Sequence, residues 1–299
     1  MNKKNMIAKG IICFLLTGVL LLSLVGCAGR ETRTDLENIA YGEDEQQAFD
    51  LFLPAGKEKE LPLIVLIHGG KWTTGDKSTY APKAIEFCEQ YGVATATIGY
   101  RYLSANTAMS LLLDDIGSSV DAICKTAAEN GVTISKVAFW GHSSGGHLAL
   151  LYAYSRADES PVPVAFVCAS SSPTDLTDDN YFAPDNIMGK SNIERLFSWG
   201  IGEKYTYETR KDFTEQLKTC SPLFLVDENT VPTLLQHSSH DSLVPYSNAV
   251  SLDAKLTECG VTHDFIIFQK SNHGLDQDPD CTAKADELFA EYISRYLFE

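Results

Sequence analysis

The sequence predicts an α/β protein with a doubly wound, mostly parallel sheet. Seven short apolar runs of strand length recur along the chain, at about 49–53, 61–67, 93–98, 136–140, 163–168, 231–236 and 263–268. The segments between them have helical spacing or loop composition. The Leu-Ile-Val-Leu-Ile run within the second of these is apolar at every position, as in a strand that helices cover on both sides. These observations together favour alternating strands and helices in one layered domain.

The length and charge of the chain narrow its organisation and its partners. At 299 residues it has room for one large domain with a substantial core, which we expect to occupy residues 49–299. The formal net charge of −16 repels nucleic acids and other anionic polymers, so no nucleic-acid partner is expected. Residues 176–220 lack strand-like runs and contain several aromatic side chains, which predicts an inserted helical cap or lid. The oligomeric state stays open.

The N-terminus has the order of a secretory signal. Lysines lie near the start, and an apolar run extends from about residue 11 to residue 25. This run ends in Leu-Val-Gly-Cys, which resembles the bacterial lipobox. By that resemblance, residues 1–26 are removed as a signal peptide and Cys27 carries the lipid. An ordinary cleaved signal and a retained membrane helix are the alternatives.

A lipid on Cys27 implies an exported protein, anchored to the cell membrane and facing the extracytoplasmic side. Residues 27–48 are polar and charged with few large apolar groups. Such a composition does not build a core, so we expect this segment to be a tether between the lipid and the domain.

The remaining cysteines of the domain indicate neither a metal site nor a redox motif. They contain no close pair such as C-x-x-C, and the spacing selects no disulfide pairing. Cys88, Cys124 and Cys168 lie in apolar stretches, where we expect free thiols in the core.

A candidate nucleophile follows the fourth predicted strand. The run at 136–140 continues into Gly-His-Ser-Ser-Gly-Gly and then into a helix-forming segment. This is the G-x-S-x-G pattern in its strand-turn-helix context, with Ser143 as the nucleophile. Gly141 and Gly145 are needed because side chains there would collide with the neighbouring strand and helix. The helix N-terminus favours negative charge developing beside Ser143, and a purely structural tight turn is the alternative.

A candidate oxyanion loop follows the second predicted strand, with the sequence His-Gly-Gly-Lys-Trp. Glycines let backbone N–H groups approach a substrate closely. The expected donors are Gly70 and the residue after the nucleophile, Ser144, and Gly69 or Lys71 could share the role.

The two ends of this loop are expected to support it. His68 precedes the candidate nucleophile in the chain, whereas the base of such a site follows it, so a hydrogen-bonding role in the loop is expected. Trp72 is expected to pack against the core rather than to hold substrate.

Three motifs, namely His-Gly-Gly-x-Trp, Tyr-Arg at 100–101 and Gly-His-Ser-Ser-Gly-Gly, resemble the esterase/lipase branch of the α/β-hydrolase superfamily. Within it, the chain is similar to small esterases that are compared with feruloyl and acetyl-xylan esterases and with kynurenine formamidase. The resemblance covers about residues 50–299. Lys71 replaces the third glycine of the lipase form, so long-chain lipase behaviour is not implied.

The acid and the base should follow the nucleophile in the order Ser, Asp or Glu, His, each after a strand. The run at 231–236 leads to Asp241, within a segment that resembles the family pattern H-G-x-x-D-x-x-V-P but has Ser238 in place of glycine. Asp241 is the candidate acid, and Asp175 is the alternative.

The candidate base is His273, which follows the last predicted strand. His263 also follows Asp241, but it opens this strand and therefore lies at the wrong edge of the sheet. The His-x-x-His-Asp sequence that ends at Asp241 has no further ligand spacing, so no metal is expected.

These residues predict a serine hydrolase that cleaves an ester or similar acyl bond through an acyl-enzyme and needs no cofactor. The resemblance alone implies small or short-acyl carboxylic esters, including esters linked to a carbohydrate. A serine peptidase or amidase of the same fold is one alternative. A non-catalytic surface binding protein on a hydrolase scaffold is another.

Overall fold

The computed structural model describes residues 32–56 and 58–299. The predicted signal peptide at 1–26 and the lipid site at Cys27 lie outside these residues. Within the described part of the chain, no helix has both the length and the apolar character needed to cross a membrane.

Eight strands form one sheet. They are Thr34–Ala40 (β1), Ala48–Leu53 (β2), Glu60–Ile67 (β3), Ala94–Ile98 (β4), Thr133–His142 (β5), Val164–Ser170 (β6), Thr233–Ser238 (β7) and His263–Phe268 (β8). Their spatial order is β1-β2-β4-β3-β5-β6-β7-β8. β2 is antiparallel to β1 and β4, and all other neighbours are parallel. The predicted fold class, a mostly parallel sheet in an α/β protein, is confirmed.

Seven α-helices accompany the sheet in the described part of the chain. They are Ala81–Tyr91 (α1), Met109–Glu129 (α2), Ser144–Ser155 (α3), Lys190–Ile201 (α4), Thr214–Thr219 (α5), Tyr246–Glu258 (α6) and Pro279–Tyr292 (α7). Side chains of α1 and α7 share one apolar core with one face of the sheet, and side chains of α2, α3 and α6 share another core with the opposite face. Strand β3 alternates between them, with Leu63 and Val65 in one core and Ile64 and Leu66 in the other. This burial on both faces explains its uninterrupted apolar sequence.

The seven predicted strands correspond to β2 through β8. The largest difference is at β5, which begins at Thr133 and ends at His142, beyond the apolar run at 136–140. Its first residues, Thr-Ile-Ser, do not form an apolar run, which is why the pattern missed them.

The expected tether is wrong in part, because residues 34–40 form β1 at the edge of the sheet. A register shift between Leu36 and Ile39 interrupts the pairing with β2, and Asn38 at this bulge has a φ of 56°. The N–H of Asn38 donates to the Asp50 carboxylate at 2.8 Å. Most side chains of β1 are exposed, so its polar composition is compatible with an edge strand.

The segment between β6 and β7 contains α4 and α5 and several single turns of 3-10 helix. No strand occurs in it, in keeping with the predicted helical cap. Aromatic side chains pack at its centre. The ring centroid of Phe197 lies 5.4 Å from that of Tyr181 and 5.6 Å from that of Tyr205. The cap therefore has an apolar core of its own side chains, continuous with the main core.

The cysteines of the described part are free thiols. Cys88 and Cys168 are buried, and Cys124 is half-buried. The expectation of free core thiols holds for the first two, whereas Cys124 lies nearer to the surface of α2.

Candidate active site

Ser143 connects β5 to α3 through a sharp turn. Its φ of 57° and ψ of −127° lie outside the regions that L-residues usually adopt, at a cost of about 1–3 kcal/mol. The surrounding backbone holds this conformation, because the N–H of Ser143 donates to the Ser170 carbonyl at 2.8 Å and its carbonyl accepts the N–H of His147 at 3.0 Å. The strained turn places the hydroxyl 2.9 Å from Nε2 of His273.

The two glycines of the elbow are required by close contacts. A Cβ at Gly145 would lie 2.1 Å from the carbonyl oxygen of Ile67, and one at Gly141 would lie 2.5 Å from the carbonyl carbon of Gly145. Both contacts are with backbone atoms, which cannot swing aside. The structure thus places Gly141 and Gly145 where the sequence predicted them, packed between β3, β5 and α3.

His273 lies between Ser143 and Asp241. Its Nε2 is 2.9 Å from Oγ of Ser143, and its Nδ1 is 2.7 Å from Oδ2 of Asp241. With Nδ1 protonated, the imidazole donates to the carboxylate and Nε2 can accept the serine proton. The structure therefore brings the three predicted residues into one hydrogen-bonded chain.

The Asp241 carboxyl is fully buried and well supplied with donors. Its Oδ1 accepts the N–H groups of Leu243 and Val244 at 2.9 and 3.0 Å. Burial alone would raise the pKa of Asp241, but the hydrogen bond from His273 and the nearby histidine charges outweigh it, and the pKa lies below its ordinary value. Asp241 therefore stays ionised beside the imidazole.

The alternative residues lie elsewhere. The Asp175 carboxylate accepts from the N–H and hydroxyl of Thr177, and none of its hydrogen bonds within the described chain involves a histidine. His263 opens β8 at the opposite edge of the sheet, where it lies 3.2 Å from Asp253. His237 is buried and its Nε2 lies 3.1 Å from the Val244 carbonyl, which makes it a support of the Asp241 loop.

The predicted oxyanion loop lies directly against the nucleophile. A Cβ at Gly69 would be 2.9 Å from the carbonyl oxygen of His142 and 3.2 Å from Cβ of Ser143. Gly70 has a φ of 129°, and its carbonyl accepts the N–H groups of Thr73 and Thr74, which turns the loop back on itself.

Three of the predicted donors are free to bind a ligand. Within residues 32–56 and 58–299, no hydrogen bond uses the N–H of Gly70, Lys71 or Ser144. Ser144 is the first residue of α3, where a backbone N–H has no partner inside the helix. Lys71 and Ser144 also line the recess beside Ser143.

His68 lies beneath the loop as the sequence predicted. It is buried, its Nδ1 is 2.8 Å from the Gly69 carbonyl oxygen, and its ring stacks on Tyr100 with centroids 4.4 Å apart. Burial lowers the pKa of His68, so the ring is neutral and Nδ1–H donates to that carbonyl. The Tyr100 hydroxyl donates to the His68 carbonyl at 2.8 Å, which fixes both ends of the residue.

Trp72 packs into the core and also carries a polar contact that the sequence did not reveal. Its Nε1–H donates to Nδ1 of His147 at 3.0 Å, and Nε2 of His147 lies 2.8 Å from the Cys220 carbonyl oxygen. Burial lowers the pKa of His147 to about 4. A neutral His147 therefore connects the oxyanion loop, α3 and the end of the cap.

The loop that carries His273 is held by a second buried carboxylate, which the sequence did not single out. Asp278 accepts the N–H of Lys270 at 2.9 Å and both the N–H and the hydroxyl of Ser271, at 2.7 and 2.6 Å. Ser238, which replaces the family's glycine, donates its hydroxyl to the Ser271 carbonyl. The departure at Ser238 thus joins the acid loop to the base loop.

The recess at the nucleophile is small. Its volume is about 10 Å³, roughly the space of one water molecule. Apolar side chains from the oxyanion loop, the cap and the acid loop close it, namely Trp72, Met188, Leu243 and Val244.

The chain is similar to one family model and to several known proteins. The BD-FAE family model matches residues 49–256. The probable isoprenylcysteine alpha-carbonyl methylesterase of Oryza sativa subsp. japonica is 27% identical over 276 residues, which are 88% of this chain and 64% of that protein. The kynurenine formamidase of Danio rerio is 27% identical over 122 residues, 41% of this chain and 40% of its own length. The chain spans between 55% and 64% of the length of three methylesterase relatives.

Solved structures share the fold. A truncated form of a carbohydrate esterase from gut microbiota has a TM-score of 0.72 at 20% identity, covering 90% of this chain and 99% of that one. Esterase B from Lactobacillus Rhamnosis has a TM-score of 0.71 at 19% identity, covering 89% and 86%. The chain belongs to the BD-FAE family and has the α/β-hydrolase fold.

Proposed function

We propose that this protein is an esterase, namely a serine carboxylester hydrolase that works through an acyl-enzyme on small, short-acyl esters. The observation that carries the proposal is the hydrogen-bonded chain from Ser143 through His273 to Asp241, with distances of 2.9 and 2.7 Å. Each member is within reach of the proton transfer assigned to it.

In the first half-reaction, Oγ of Ser143 attacks the ester carbonyl carbon while Nε2 of His273 takes the hydroxyl proton. The carbonyl oxygen becomes an oxyanion, which the N–H groups of Ser144 and Gly70 stabilise, with Gly69 or Lys71 as neighbouring donors. Loss of one such donor typically costs about 3 kcal/mol in the transition state. The C–O bond to the alcohol then breaks, and His273 gives its proton to the leaving alkoxide.

In the second half-reaction, a water molecule attacks the acyl-enzyme. His273 takes a proton from this water, which forms a second oxyanion. When this oxyanion collapses, the bond between the acyl carbon and Oγ breaks and the carboxylic acid is released. His273 then returns the proton to Ser143. Asp241 holds the tautomer of His273 and stabilises the imidazolium in both halves.

The narrow recess supports a short acyl group. A space of about 10 Å³ beside Ser143 has no room for a long aliphatic chain without movement of Met188 or Leu243. The alcohol portion would extend toward solvent. A carbohydrate alcohol is compatible with this arrangement, and one relative by fold is titled a carbohydrate esterase.

Amide hydrolysis is the second candidate function, because the same machinery cleaves amides and two relatives are named for such reactions. These are the kynurenine formamidase of Danio rerio and acylamino-acid-releasing enzyme 1 of Oryza sativa subsp. japonica, the second of which is 28% identical over 232 residues but matched over only 28% of its length.

The mechanism is tested by labelling the purified domain with a fluorophosphonate and measuring its intact mass. We expect one adduct on the parent protein and none on Ser143→Ala. Absence of an adduct on a folded parent protein would favour the non-catalytic binding protein, and an adduct that persists in Ser143→Ala would exclude Ser143 as the nucleophile. A matched series of acetyl, butyryl and octanoyl esters and of the corresponding amides then separates the two candidate substrate classes.

We propose further that the protein is exported and anchored through lipid on Cys27, on the strength of the lipobox-like sequence alone. The full chain should partition with the membrane fraction of a bacterial host and incorporate radiolabelled fatty acid, whereas Cys27→Ser should do neither. Equal labelling of both proteins would refute the assignment.

A further inference from the structure

A second cavity lies on the opposite face of the sheet from the helix that begins at Ser144. It has a volume of about 300 Å³ and opens between α1 and α7. We call it the rear pocket. Its walls include aromatic side chains from both helices and from the sheet, namely Tyr80, Phe87, Trp140, Phe268 and Phe289. This volume is at the lower end of the range of small-molecule sites, about 300–1,000 Å³, and matches a ligand with a single ring.

The aromatic walls offer ring faces and edges rather than a plain apolar lining. Trp140 and Tyr80 meet edge to face, with centroids 4.9 Å apart, and Trp140 is only partly buried. Phe87 and Phe289 form a further pair with centroids 4.8 Å apart. A planar ring placed among these side chains would gain the offset or edge contacts that aromatic groups prefer.

Lys83 supplies a positive charge at this pocket. Its Nζ lies 4.8 Å from the ring centroid of Phe87 and 5.5 Å from that of Trp140. Among the described residues, no carboxylate lies within 4 Å of this ammonium group. A half-buried cation that faces two aromatic rings and has no described carboxylate within 4 Å can bind an anion.

Asp286 lines the rear pocket from α7 and opposes an anionic ligand. Its side chain is exposed, so water and salt screen its charge, whereas Lys83 is half-buried and screened less. The balance of the two charges therefore favours an anion close to Lys83. Removal of the Asp286 charge should strengthen the binding of such an anion.

Polar groups lie at the inner end of the pocket. His142 lines it, and its Nε2 lies 2.9 Å from the His273 carbonyl oxygen. Burial and the neighbouring His273 lower the pKa of His142 to about 4, so the ring is neutral and Nε2–H donates to that carbonyl. The Nδ1 atom of His142 makes no hydrogen bond within the described chain and is left as an acceptor.

We propose that the rear pocket is a second ligand site that takes a single-ring aromatic carboxylate, with the ring among Tyr80, Trp140 and Phe87 and the carboxylate on Lys83. The rear pocket is separate from the recess at Ser143. His142 and His273 lie between the two sites. No bond is made or broken in this site.

The two sites can be distinguished by tryptophan fluorescence. Trp140 lines the rear pocket, Trp72 lines the recess at Ser143, and the third tryptophan, Trp199, lies in α4. Benzoate is titrated into the Ser143→Ala protein, with cyclohexanecarboxylate as a control for the ring. We expect a saturable change in emission with benzoate that is lost in Trp140→Phe and retained in Trp72→Phe. Loss in Trp72→Phe alone, or no saturable change, would overturn the proposal.

Two variants test the roles proposed for the charges of Lys83 and Asp286 without altering any tryptophan. Lys83→Met keeps the apolar stem and should weaken benzoate binding about tenfold or more, and Asp286→Asn should strengthen it a few-fold. Cyclohexanecarboxylate should bind more weakly than benzoate to the parent protein. Equal affinities of the two acids, unchanged affinity in Lys83→Met, or weaker binding in Asp286→Asn would contradict the site, even if Trp140→Phe failed to fold.

Discussion

The indole N–H of Trp72 donates a 3.0 Å hydrogen bond to Nδ1 of His147, a fully buried histidine one turn into the helix that follows the nucleophile. The other ring nitrogen of His147 lies 2.8 Å from the Cys220 carbonyl oxygen. This ring therefore works only in its neutral form, with Nδ1 as acceptor and Nε2–H as donor. Protonation would place the ring's second proton on Nδ1, which could then no longer accept the bond from Trp72.

The first prediction concerns the stability of the fold in acid. Burial lowers the pKa of both His142 and His147 to about 4, whereas a histidine in the unfolded chain has a pKa of about 6.5. Between these values the unfolded state binds more protons than the folded state, so the free energy of unfolding falls as pH falls. Each histidine contributes at most about 3 kcal/mol to this loss, which levels off below about pH 4. Urea denaturation at several pH values across this window measures it.

His147→Gln provides the control for this prediction, because glutamine cannot titrate in this range. The variant should be less stable at neutral pH, and its free energy of unfolding should depend less steeply on pH between about 6.5 and 4. A variant with the same pH slope as the parent protein would show that His147 does not contribute.

The second prediction concerns the acid. Asp241→Asn should reduce kcat by about 10⁴, because an amide no longer fixes the tautomer of His273 or stabilises the imidazolium. Asp175→Asn is the matched control, since the Asp175 carboxylate bonds only to Thr177 among the described residues and the change should alter kcat by no more than a few-fold. Steady-state kinetics on a short-acyl ester measure both. The reverse ranking of the two variants would reassign the acid.

Much of the fold and the site was predictable because both depend on local sequence. The strands β2, β3, β4 and β6 are largely buried and therefore mostly apolar. The candidate nucleophile, acid and base each follow a strand, and the carboxyl ends of these strands lie at one edge of the sheet. Position along the strand also distinguished His273 from His263. The order of the strands and helices along the chain was therefore enough to predict which residues meet at the site.

Other features depend on distant partners and left no local signal. β1 is an exposed edge strand, and its polar composition cannot be distinguished from that of a linker. The contacts of His147 come from residues more than 70 positions away, and its burial was invisible in a helix-forming segment. The size of the recess depends on where Met188 of the cap meets Leu243 of the acid loop, which is a matter of tertiary packing.

The third prediction concerns the elbow glycine at position 145. In Gly145→Ala the new methyl group would lie 2.1 Å from the carbonyl oxygen of Ile67, so β3 and α3 would have to separate. We expect a loss of at least about 3 kcal/mol of stability, or no soluble protein. Gly202→Ala is the control, because nothing lies within 4 Å of its Cβ position and only its left-handed backbone, with φ 74° and ψ 16°, opposes the change, at a cost of about 1 kcal/mol. Similar urea midpoints for the two variants would contradict the steric argument.

The fourth prediction concerns the loop that carries the base. Asp278→Asn keeps the shape of the side chain but removes the charge that accepts the N–H groups of Lys270 and Ser271. We expect kcat to fall about 10- to 100-fold with little change in KM, because His273 is displaced while the other residues that line the recess stay in place. Asp276→Asn, two positions away and exposed, should leave kcat unchanged. A large rise in KM without loss of kcat would indicate a different role for Asp278.

The fifth prediction concerns acyl length. Met188→Ala should enlarge the recess beside Ser143 and raise kcat/KM for butyryl relative to acetyl esters, by up to about fourfold for each methylene group that becomes buried. Ile187→Ala is the matched control, since Ile187 is adjacent in sequence but 68% exposed and does not line the recess. Because the two variants remove similar apolar side chains from the same turn of the cap, a change of acyl preference in Met188→Ala alone would assign the effect to the recess. The same ratio in both variants would instead assign it to the mobility of the cap.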